Sequence, residues 1–194
     1  MDAKNAAERK TLRILLLING VMFVVGIVAG VLAHSTALIA DSLDMLADAS
    51  VYAISFYAVG KSAHRKNRAA TLSGIFQISL AVMVVVDVIR RFFGGSSPEP
   101  DWMMAVALLA LIANSYSLYL LSKHRQGEVH MRASWIFTQN DVIANFSVIM
   151  AGLLVTLFNS RFPDLIVGFG IASLVIWGGI SIIQDAQRDR AAKN

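Results

Sequence analysis

The stretch ADSLDMLADAS, residues 40–50, sets Asp41, Asp44 and Asp48 within eight positions of a chain that is otherwise largely apolar. Of its 194 residues, 56% are hydrophobic and 15% charged, and the mean hydropathy is +0.61, well above what the core of a water-soluble domain requires. Such a chain belongs in lipid. At about 100° per helical residue, the i, i+3, i+7 spacing of the three aspartates puts them on one helix face. An ionised Asp at mid-bilayer costs several kcal/mol unless it is paired, protonated or hydrated, so this face marks a functional site.

Outward from this helix, apolar runs of the roughly 20 residues needed to cross a hydrocarbon core fall at about 11–33, 36–63, 71–92, 102–122, 133–158 and 165–184. The sequence therefore predicts an all-α membrane protein of six transmembrane helices, one domain over 1–194. Charge and breaker residues mark HRKNRA (64–69), GGSSPEPD (94–101), KHRQGEVHMR (123–132) and NSRFPD (159–164) as connections. None has room for a second domain. The polar start, MDAKNAAERK, shows no small-residue cleavage pattern, so helix one is expected to stay in the mature chain.

Lysine and arginine set the orientation. Fourteen of the seventeen lie in the N-terminal segment, the second loop, the fourth loop and the tail, against only Arg90, Arg91 and Arg161 on the other side. By the positive-inside rule both termini are cytoplasmic, and the expected location is the cell membrane. The net charge of +4 reflects that topology. No basic stripe interleaved with stacking aromatics argues for nucleic acid. Zero cysteines exclude a disulfide framework and a thiolate metal site.

Beyond the helix-two aspartates, one more acid falls deep in an apolar run, Asp141 in helix five. Helix two runs inward from about Thr36 and helix five outward from about Ala133. At about 1.5 Å per residue, Asp44 and Asp48 sit roughly 12 and 18 Å below the outer surface and Asp141 roughly 12 Å above the inner one, so in a core about 30 Å thick they meet near the midplane. No lysine or arginine in the apolar runs reaches that level. A cation from outside the chain is the natural partner. Carboxylate oxygens suit divalent ions, and two Asp at i, i+4 with a third from a facing helix supply three arms of a tetrahedral site. They also bind protons, which is the minimum chemistry of an exchanger with helices rocking around a midplane site.

With these residues in view, STALIADSLDMLADASVYAISFYAVG (35–60) and WIFTQNDVIAN (135–145) resemble the second and fifth helices of the cation diffusion facilitator family. The resemblance implies a six-helix, homodimeric transporter that exports zinc and related divalent metals in exchange for protons. It also implies a metal site made of a His/Asp-x-x-x-Asp pair on each of the two helices. By position the first pair is Asp44 and Asp48; the second is residue 137 with Asp141. Position 137 is Phe137, which cannot coordinate a metal. The fourth place then falls to water or to Asn145, one turn beyond Asp141, with Asn140, Thr138 and Asn19 as further polar candidates. Zinc leads as the cargo, and with no imidazole in the site cadmium, manganese, iron and cobalt stay open. Many members continue into a cytoplasmic ferredoxin-like domain; this sequence reaches Asn194 about ten residues past its last apolar run, and that module is expected to be missing.

Each singled-out residue has a plainer reading. Asp44, Asp48 and Asp141 could be protonated carboxyls bonding neighbouring helices; their matched depth argues for a site. Asp41, one turn outside the ligand pair, reads as structural or as part of an access path. Asn19 and Asn114 read as interhelical hydrogen bonders. His34, His64, His124 and His130 lie at membrane edges or in loops, and His130 with Glu128 reads as a solvated loop before a metal-capture patch. Glycines 20, 26, 30, 168, 170, 178 and 179 read as close helix packing. Asp164 after Pro163 is expected to meet the N-terminus of its own helix.

Two rival functions use similar carboxylate patterns. Lipid phosphotransferases also cluster Asp in such spacings, but their Asp-Gly and Ala-Arg framing is missing around Leu43, Asp44 and Met45, and the apolar runs hold no nucleophile-base pair. An enzyme is not expected. A passive divalent-cation channel would use similar carboxylates and remains the alternative to a carrier.

Overall fold

A computed structural model describes the backbone of residues 3–58, 63–122 and 129–191, and most side chains within 9–56, 67–122 and 138–188. It contains six helices in sequence: α1 Ala3–Leu32, α2 Thr36–Ala58, α3 Ala63–Gly94, α4 Pro100–Ser122, α5 Val129–Phe158 and α6 Phe162–Ala191. Several run beyond the apolar stretches that announce them. HRKNRA (64–69) is the first turns of α3 rather than a connection, and 129–132 already belong to α5. Hydropathy registers only the lipid-buried part of a helix, whereas the backbone hydrogen-bond ladder continues into the polar flanks. Helix two, expected to reach 63, is described only to Ala58, and Ala63 already opens α3; residues 59–62 and 123–128, with His124 and Glu128, lie outside the described residues. So do the side chains of His64, His130 and Phe137.

Among the described residues, five helices are long and apolar enough to cross a membrane: the stretches Arg9–Leu32, Ala70–Gly94, Pro100–Ser122, Thr138–Phe158 and Phe162–Arg188. The sixth, α2, is disqualified by the acids that drew attention to it. Its path shows that it crosses the same slab. Gly26 meets Ser42, Gly30 meets Ile39, and Leu15 packs in one cluster with Tyr52, so α2 runs antiparallel to α1 along its length. None of its large apolar side chains among the described residues is exposed, while α1, α3, α4, α5 and α6 turn residues such as Val24, Met83, Ile112, Leu157 and Trp177 outward. A helix shielded from lipid by its neighbours does not have to be apolar. The outer face is accordingly apolar, and Asn19, Asp41, Asp48, Gln77, Asn114, Asp141 and Asn145 are buried inside among a larger set of apolar side chains.

The outer end of α2 is fixed by hydrogen bonds. His34 takes a left-handed backbone (φ 50°), and the bonds His34 N to Val31 O and Ser35 N to Gly30 O close α1 with a Schellman motif. Ser35 then caps α2, its Oγ accepting from Leu38 N at 3.1 Å. The next two free amides, Thr36 N and Ala37 N, donate to Asp164 Oδ2 and Oδ1 at 2.9 and 3.0 Å, and Ser35 Oγ donates to Oδ1 at 2.6 Å. Asp164 thus serves the N-terminus of α2, not that of its own helix. Gly168 permits this, since a Cβ there would stand 2.9 Å from the Thr36 carbonyl carbon. Gly26, Gly30 and Gly179 likewise sit at tight crossings, whereas nothing lies within 4 Å of a Cβ built at Gly20, Gly170 or Gly178. Those three are open positions, not packing contacts.

Candidate metal centre

Asp44 and Asp48 come from α2 and Asp141 from α5, and all three line one cavity of about 50 Å³. Its far wall is made by Gln77 of α3 and by Leu174, Val175 and Trp177 of α6. No lining residue is basic. Asp48 and Asp141, from facing helices, share this cavity wall. One oxygen of Asp141, Oδ2, is buried and has no hydrogen-bond partner among the described residues. An orphaned buried acceptor beside two further carboxyls is where a cation fits. Among the described residues no three His, Cys, Asp or Glu side chains are already gathered into a closed metal nest.

Polar bonds tie α2 to α5 on both sides of this cavity. One turn toward the outside, Asn145 Nδ2 donates to Asp41 Oδ1 at 2.7 Å and Asn145 Oδ1 accepts from Asn114 Nδ2 at 3.0 Å, joining α2, α5 and α4. One turn toward the inside, Tyr52 and Thr138 hydroxyls are 3.2 Å apart, and Tyr52 donates to Asp48 Oδ2 at 3.2 Å. The structure thus places Asp44, Asp48 and Asp141 around one cavity. Asn145 is not a lining residue of their cavity; both ends of its amide are engaged with Asp41 and Asn114. Asn114 bonds across helices as its position suggests, but Asn19 donates to Leu15 O of its own helix. Asn140 lines the cavity, and Thr138 meets it through Tyr52.

Two residues at the site were not singled out from sequence, Tyr52 and Gln77. The signal for Tyr52 is its place four after Asp48 on the aspartate face; for Gln77 it is an uncharged amide at mid-span, four after Ser73, in an otherwise apolar run.

Fold and site together define a polytopic membrane protein with a carboxylate cavity enclosed at mid-depth. Residues 12–189 match the cation efflux transmembrane domain, and the chain belongs to that family. It is 24% identical to the metal cation efflux system protein CzcD of Cupriavidus metallidurans over 76% of this chain and 51% of that protein. It is 23% identical to a cadmium, cobalt and zinc/H(+)-K(+) antiporter of Bacillus subtilis, covering 93% and 62%. With the zinc transporter ZitB of Escherichia coli it shares 26% identity over 84% and 56%. The chain spans about half to three-fifths of the length of these relatives. All three are named as efflux proteins or transporters, and the enzyme reading falls away.

Proposed function

We propose that this chain carries a divalent metal cation, zinc first, out of the cytoplasm in exchange for protons, with Asp44, Asp48 and Asp141 as the ligands it presents. Cadmium, manganese, iron and cobalt are the alternative cargoes. The observation that carries the reading is the cavity: three carboxyls from two helices, one of them with a buried unpartnered oxygen, and no basic residue in the lining. A metal entering from the side rich in lysine and arginine displaces protons held by the three carboxyls; protons arriving from the other side release the metal. Water completes the coordination more readily than Asn145, whose amide is already engaged. The bonds between α2 and α5 above and below the cavity support a carrier with a closed site over a continuous pore. The resemblance extends the proposal to a homodimer, its interface on transmembrane helix faces.

Reconstituted protein with an imposed pH gradient tests this. Zinc flux should follow the gradient and fall at least about 100-fold in Asp48→Asn and in Asp141→Asn, both retaining helical circular dichroism. Undiminished flux in either variant would sink the site; flux indifferent to the gradient would leave a uniporter.

A further inference from the structure

We infer that Gln77 of α3 supplies a further oxygen arm of the metal site, in place of the ligand that Phe137 cannot provide. The inference rests on reading Asp44, Asp48 and Asp141 as the transport site. An amide in the middle of a membrane-spanning helix is costly unless both its ends are used. Gln77 is 3% exposed and lines the same cavity as the three aspartates. Its donor end is accounted for: Nε2 lies 3.2 Å from Ala47 O and 3.5 Å from Ser73 Oγ. A backbone carbonyl only accepts, so the contact with Ala47 fixes which end of the amide is nitrogen. Ala47 stands between Asp44 and Asp48 in the chain, so the amide is anchored at the level of the carboxylate pair.

That leaves Oε1, which accepts no hydrogen bond among the described residues. The cavity that Gln77 lines is the aspartate one, and the amide oxygen is the end of the side chain still free to serve it. A neutral amide oxygen is a hard donor of the kind that completes carboxylate sites for divalent ions. It adds an arm without adding a fourth negative charge to the low-dielectric interior. With Gln77 the site draws on α2, α3 and α5.

A purely structural Gln77 would act only through its donor end, and this separates the two roles. Isothermal titration of the purified full chain with Zn²⁺ and with Mn²⁺, at mildly alkaline pH, would compare wild type, Gln77→Leu, Gln77→Glu and Asp48→Asn. Gln77→Leu should weaken binding by about tenfold or more. Gln77→Glu keeps an oxygen arm but cannot donate to Ala47, and should bind at least as tightly as wild type. If Gln77→Glu loses affinity, the amide serves only as an interhelical donor and the inference is overturned; wild-type affinity in Gln77→Leu overturns it as well. Should Gln77→Leu fail to fold, the Gln77→Glu titration decides alone. Asp48→Asn separates the layers: unchanged binding there removes the transport site itself, whereas loss there with a neutral Gln77→Leu removes only the role of Gln77.

Discussion

The two connections that bracket the cavity differ in kind. The outer one, Asp41–Asn145–Asn114, is a chain of amide and carboxyl groups with bonds of 2.7 and 3.0 Å that spans three helices. The inner one is a pair of hydroxyls 3.2 Å apart, and one of them also serves Asp48. Longer bonds between neutral hydroxyls are the weaker kind. The outer connection is therefore built to hold α2 and α5 in register, and the inner one to yield. Because Tyr52 shares its proton with Asp48, the inner bond also depends on what the carboxyl holds. On the proposed transport reading, occupancy of the site and closure of its inner side draw on the same hydroxyl.

That asymmetry can be broken from either end. Asn145→Leu strips the donor from Asp41 and the acceptor from Asn114, leaving buried polar groups unmet, and should cost about 2–3 kcal/mol. Thermal unfolding in detergent measures it; a loss no greater than that of an inner-side variant would erase the distinction. Tyr52→Phe should cost about 1 kcal/mol. Its sharper effect is on cargo: with the donor to Asp48 gone, the proton competes better, so zinc binding should fail at a higher pH than in wild type. An unshifted profile would separate the inner bond from the site. The smallest effect is expected from Thr138→Val, about 0.5 kcal/mol, because Tyr52 still donates to Asp48; its binding profile should overlay that of wild type.

Periodicity and depth were enough to find the six helices and to bring Asp44, Asp48 and Asp141 to one level, because these follow from rise per residue and the cost of buried charge. Long-range pairing was not legible. Asp164 reads locally as an acid at the start of its own helix, yet it bonds Thr36, 128 positions away. Asn145 reads as a ligand by its spacing from Asp141, and only the packing of α4 and α2 around it shows that its amide is already spoken for. Gln77 escaped notice because an uncharged amide in an apolar run resembles interhelical glue; its proximity to Ala47 is a property of the α2–α3 crossing. Helix ends in the polar flanks were misjudged for a simpler reason, since solvent tolerates a helix as readily as a loop.

The capping of α2 by Asp164 has a mechanical consequence. Two parallel helices, α2 and α6, are pinned at the outer surface by three hydrogen bonds, while toward the inside α2 is tied to α5 by a pair of hydroxyls. An element held at one end is a lever. From the pin at Thr36 to Asp48 the arm is about 18 Å long, so a tilt of about 10° at the fulcrum carries the carboxylate about 3 Å. That is more than a metal–oxygen bond length, enough to assemble or dismantle a coordination shell, and it leaves the outer seal in place while doing so.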